Sequence, residues 1–80
     1  MGVNIMAQDI DINNSHKFDV FFTDGENSNY EGFAESFEYC EGYIGTFNGS
    51  GESYFGEYKG GTVSIYDIDD DVCVYSEEVR

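Results

Sequence analysis

Carboxylates dominate the residues that could do chemistry in this chain, and two groups of them are closely spaced. Glu31, Glu35, Glu38 and Glu41 follow one another at intervals of three and four residues, while Asp67, Asp69, Asp70 and Asp71 crowd one short stretch. Carboxylates grouped in this way can hold a cation, pass protons in catalysis, or face a basic partner. A cation site can be tested by spacing. Asp67, Asp69, Asp71 and Glu78 fall at positions 1, 3, 5 and 12 of an EF-hand loop, but position 6, where glycine permits the sharp turn, is Val72. The flanking segments also read as strands, so an acidic hairpin turn is the simpler expectation. Asp9, Asp11 and Asn13 repeat the first three ligand positions with Val20 where the bidentate glutamate belongs, and are weaker still.

Catalysis finds little support. His16 is the single histidine, beside Lys17 at the start of an expected strand, and there is no GxSxG motif or phosphate loop. The two cysteines, Cys40 and Cys73, lack CxxC spacing and offer too few soft ligands for zinc. They are expected as free thiols, because a small disulfide-built domain usually carries more of them. The expectation is therefore no enzyme, no metal and no cofactor, which leaves the basic partner.

Charge points the same way. Seventeen acidic residues stand against three Lys or Arg, for a formal charge of −14. Nine acids and no base lie between Lys17 and Lys59, and six acids and no base between Lys59 and Arg80, so local ion pairing cannot neutralise the surface. Self-repulsion on this scale opposes the compact state. On a helix, Glu31, Glu35, Glu38 and Glu41 would form a ridge within about 120° of arc, apart from the Phe33, Phe37, Cys40 stripe. Helix energetics alone would not select that ridge, since like charges at i, i+4 destabilise and the C-terminal end favours cations.

The elements that must position these residues can be read from periodicity. Residues 1–16 form a flexible arm or an edge strand around Ile10 and Ile12, and residues 17–80 form one acidic domain. KFDVFFT alternates Phe18, Val20 and Phe22 on one face and ends at Asp24-Gly25, as a half-buried strand does. Ser28 and Glu31 fit a capping box, and Tyr30, Phe33, Ala34, Phe37 and Cys40 recur at helical spacing, so an amphipathic helix is expected over about 29–41, stopped by Gly42. Beyond it YIGTF, YFGEY, TVSIYDI and VCVYSEE read as strands punctuated by glycines. The fold class is α+β, an antiparallel sheet of four or five strands with one helix. No run of 18 apolar residues and no signal-like N-terminus occurs, so a cytoplasmic protein that neither spans nor binds a membrane is expected.

Two resemblances bear on function. Tyr30-Glu31-Gly32 and Tyr54-Phe55-Gly56-Glu57-Tyr58-Lys59-Gly60-Gly61, with Gly45-Thr46-Phe47-Asn48-Gly49 between them, resemble the tyrosine-x-glycine units of MORN repeats. That implies an all-β stack of hairpins serving as an acidic interaction or structural module, and it requires residues 33–41 to form a hairpin.

In size, charge and aromatic content the whole chain resembles the small acidic DNA-mimic proteins that phages use against restriction and CRISPR systems. A domain of this length is about 30 Å across, and duplex DNA of that length carries roughly 18 phosphate charges. The resemblance implies a stoichiometric inhibitor in the host cytoplasm that binds no nucleic acid itself. It would occupy the basic nucleic-acid-binding groove of a nuclease or surveillance complex. Its contacts would be Glu31, Glu35, Glu38, Glu41, Asp67, Asp69, Asp70 and Asp71, with Tyr39 and Tyr43 packing beside arginines. A halophilic protein would instead spread acids over its whole surface and need high salt to fold, and a segment disordered until bound would lack these periodic elements.

Overall fold

The computed structural model describes residues 16–80; the arm or edge strand expected before His16, with the Asp9–Asn13 stretch, lies outside the described residues. β1 (Phe18–Thr23) forms where the sequence alternates, and the sheet is built around it. β2 (Ser28–Tyr30) pairs with one edge of β1, β3 (Thr62–Asp67) with the other, and β4 (Val72–Glu78) with β3. The order is β2-β1-β3-β4, antiparallel throughout. Two helices, α1 (Phe37–Phe47) and the single turn α2 (Tyr54–Glu57), lie in the chain between β2 and β3. The α+β architecture of a four-stranded antiparallel sheet with an amphipathic helix therefore holds.

The core forms between the helices and one face of the sheet. Val20 and Phe22 from β1, Val63 and Ile65 from β3, Cys40 and Ile44 from α1, Phe55 from α2, and Val79 are all buried. Phe22 is the hub, with the Phe55 ring edge-on at 4.9 Å and the Tyr54 and Tyr58 rings at 5.4 and 5.9 Å. Such aromatic packing supplies much of the burial a small domain needs.

The helix differs in position from the expected 29–41. Ser28, Asn29 and Tyr30 pair with Thr23, Phe22 and Phe21, so the segment expected to open a helix closes a hairpin instead. The Asp24 carboxylate makes that hairpin compact by accepting from the backbone N–H groups of Glu26 and Asn27 at 2.9 and 2.7 Å. Gly32, at φ +86°, then turns the chain in a conformation that other residues resist. The helix starts at Ser36, whose hydroxyl accepts from the Tyr39 N–H at 3.1 Å, and runs through Gly42 to Phe47. The apolar period was right but continues as Phe37, Cys40, Ile44 and Phe47, so YIGTF is helical rather than a strand. YFGEY is also not a strand, since Tyr54–Glu57 coils against Phe22. With residues 37–47 helical, the all-β hairpin stack does not form.

This boundary can be tested at the two candidate caps. Ser36→Ala should lower unfolding stability by about 1 kcal/mol, the usual value of an N-cap hydroxyl, whereas Ser28→Ala should cost much less. Chemical denaturation measures both, and the reverse order would return the helix start to Ser28.

Candidate partner-binding surface

The expected contact residues separate into two neighbouring groups. Glu35 and Asp67 flank Phe18 on opposite sides, Glu35 through an isolated bridge and Asp67 through the β1–β3 ladder, which sets their backbones about two strand spacings, roughly 10 Å, apart. Phe37 packs on Phe18 at 5.8 Å, so α1 begins at this same end of the sheet and Glu38 lies in its first turn. The β3–β4 turn, with Asp69, Asp70 and Asp71 exposed, is here too. Of the expected helical ridge only Glu38 and Glu41 are on the helix; Glu31 and Glu35 belong to the extended segment before it.

Asp67 does not present its charge outward. It is 6% exposed, and its Oδ1 accepts from the N–H groups of Asp69 and Asp70 at 3.0 and 3.2 Å, which shapes the turn. Its Oδ2 meets His16 Nδ1 at 2.8 Å, while Asp69 accepts from the Lys17 N–H at 2.9 Å. His16, Asp67 and Asp69 lie close enough to share a cation, yet these oxygens already have partners. Glu78 pairs with Thr62 at the far end of the hairpin, five residue steps or about 17 Å from the Asp67–Val72 pair, so no EF-hand loop exists.

His16, expected only at the start of a strand, is a tether to the β3–β4 turn through Asp67. The Asp67 hydrogen bond is the largest cause holding its pKa above the ordinary value, helped by the charges of Asp67, Asp70 and Asp69 against partial desolvation. Burial pushes the Asp67 carboxyl upward, but the His16 bond and the turn N–H groups outweigh it and leave the pKa lowered. The raised imidazole contributes stability below its ordinary pKa, about 6.5, that is lost as pH rises through the folded value. The lowered carboxyl contributes above about 3.9 and loses that as pH falls through its own folded value, so the tether is strongest from about pH 4 to 6.5.

Carboxylates elsewhere are held by neutral donors. Asp19, 5% exposed, accepts from the N–H groups of Val20, Gly32 and Phe33 at 2.7, 3.1 and 2.8 Å, which fastens the β2–α1 connection to β1. Tyr43 donates its hydroxyl to Glu31 at 2.5 Å; burial and then this bond raise the Tyr43 pKa. Glu77 accepts from the Tyr75 hydroxyl and from Asn48 Nδ2, and these two bonds lower its pKa. Buried Asn48 also donates to the Glu78 carbonyl at 2.9 Å and accepts from the Arg80 N–H at 2.8 Å, joining the end of α1 to β4. Among the described residues, no Lys or Arg makes an ion pair with a carboxylate. Asp19 and Asn48 were not expected as site-shaping residues, because their partners come from distant segments; Asn48-Gly49 as a helix end was the one local signal.

Tyr39 was expected on the helix and Tyr43 on the strand after it; both sit on α1, one turn apart. With Glu38, Gly42, Thr46 and Phe47 they line a shallow surface groove, and Phe33 backs both tyrosines edge-on at 5.3 and 5.0 Å. A second aromatic group, Phe21, Tyr30 and Tyr66, lies across β1, β2 and β3, its ring centres 4.6 to 6.1 Å apart. Both cysteines are free. Cys40 is buried, and desolvation, then the charges of Asp19 and Glu35, push its thiol up to about 11; Cys73 is exposed.

No protein-family model matches this chain, and neither curated proteins nor solved structures yield a match. Among the described residues no helix is long and apolar enough to cross a membrane.

Two outcomes follow. In a proton NMR titration His16 should titrate above about 6.5, and Asp67→Asn should lower its midpoint; an unchanged midpoint would remove the tether. In the native protein Cys73 should react with a thiol reagent at once and Cys40 only on unfolding, because the buried thiol is scarcely ionised. Equal rates would contradict the packing of α1.

Proposed function

We propose that this chain is a stoichiometric inhibitor whose carboxylates imitate nucleic-acid charge and fill the basic groove of a nucleic-acid-binding protein, such as a nuclease or surveillance complex of a host defence system. The observation that carries this reading is that among the described residues no Lys or Arg pairs with a carboxylate, and Asp19, Glu31 and Glu77 are held by backbone N–H, tyrosine and asparagine donors, which leaves the negative charge uncompensated. Interspersed lysines would relieve the self-repulsion of so many acids, and this chain has three bases in all.

The densest face is the end of the sheet where Glu35, Glu38 and Asp69 to Asp71 gather, with Glu41 one turn along α1. Exposed acids also occur at the opposite end, at Asp24, Glu26 and Glu78, so the charge runs along the domain rather than along one helix. An elongated array of this kind suits a groove that otherwise follows a phosphate backbone. The protein acts in the host cytoplasm by occupancy and performs no chemistry.

Tagged protein should recover a nucleic-acid-binding protein from nuclease-treated bacterial lysate in moderate salt, and excess duplex DNA should displace it. Reversing Glu35 and Glu38 to lysine should weaken that capture without unfolding the domain. A captured partner indifferent to DNA would make this an acidic interaction module without mimicry.

A further inference from the structure

We infer that the groove on α1 receives an arginine side chain of the basic partner, with Gly42 leaving room for the partner's backbone. The inference rests on the acidic surface being a binding surface and assigns the contact within it. Glycine inside a helix lowers its stability relative to alanine, and α1 contains two, Gly42 and Gly45. Neither is required by packing, since a Cβ built at either position meets nothing within 4 Å. Gly42 belongs to the groove with Glu38, Tyr39, Tyr43, Thr46 and Phe47, whereas Gly45 lies on the other flank of the helix beside Glu77, Glu78 and Arg80. Bare helix backbone at Gly42 therefore stands between aromatic rings at a surface.

The chemistry of the groove selects its occupant. Tyr39 is 49% exposed, so its aromatic surface is available, and the half-buried Tyr43 and Phe47 rings, tilted to each other at 5.1 Å, line the groove beside it. Glu38 lies on the rim, and Glu31, held by the Tyr43 hydroxyl, adds a second carboxylate. A guanidinium both lies flat on aromatic rings and bonds carboxylates with a planar fork, whereas the compact ammonium of lysine matches this arrangement less well. Phosphates would meet repulsion here, and a second copy of a chain with net charge −14 would repel the first.

Hexa-arginine and hexa-lysine peptides serve as probes, titrated at low salt into the full chain, Gly42→Ala and Gly45→Ala, with aromatic NMR resonances and thermal unfolding as readouts. Hexa-arginine should shift the Tyr39, Tyr43 and Phe47 rings and bind roughly two- to fivefold tighter than hexa-lysine. Both alanine variants should melt higher than the parent, yet only Gly42→Ala should lose affinity, by a similar factor. Equal affinity for the two peptides, with shifts spread over the Asp69–Asp71 turn instead, would overturn the groove while leaving the acidic surface as a binding surface. Unchanged affinity in Gly42→Ala would likewise overturn the close approach. Binding of neither peptide would overturn both the groove and the functional reading beneath it.

Discussion

Mutual repulsion among carboxylates is the constraint under which the rest of this structure is built. With a net charge of −14 there are too few cations to relieve it, and the described residues make no Lys or Arg ion pair at all. The chain instead turns carboxylates into acceptors for groups that carry no charge. Asp19 gathers three backbone N–H groups, Asp67 shapes the hairpin turn, and Glu31 and Glu77 take tyrosine hydroxyls. Hydrogen bonds to a charged acceptor are stronger than neutral ones. Each therefore stabilises the fold while the negative charge survives.

The apolar side of the balance is concentrated. Phe22 sits at the meeting point of β1, α2 and the residues that follow it, and the buried aliphatic residues of β1 and β3 complete a single core. Because burial of apolar surface is indifferent to charge, this core can hold the elements together while their outer faces repel. The aromatic content thus divides: Tyr54 and Tyr58 turn toward Phe22, while Tyr39 stays at the surface.

The strands were legible in the sequence because their signal is local. Alternation in FDVFFT, TVSIYD and VCVYSEE placed β1, β3 and β4 closely, and the acidic turn between the last two followed. The helix was legible in kind but not in position. Ser28 and Glu31 imitate a capping box, and Phe33, Phe37 and Cys40 share one period with Ile44 and Phe47; only pairing of Ser28–Tyr30 with β1 decides between the two starts. The glycines of α1 misled for the same reason, since propensity is weak against tertiary packing. Of the candidate site, the acidic turn that exposes Asp69 to Asp71 was legible, whereas the pairing of Tyr39 with Tyr43 was not, because YIGTF read as a strand. The inward turn of Asp67 and the Tyr43–Glu31 bond were not, because each joins segments that sequence spacing does not relate.

The central claim is that neutral donors and one aromatic core hold this fold, so that its charge is free for a partner. Denaturant unfolding across a series of salt concentrations tests it most directly. The account predicts a cooperative transition already at about 0.1 M salt, where screening still reaches about 10 Å, with the midpoint rising and then levelling as the range shortens toward about 3 Å near 1 M. A chain that unfolds cooperatively only at molar salt or above would contradict it, and would assign the acids to life in brine rather than to a basic groove.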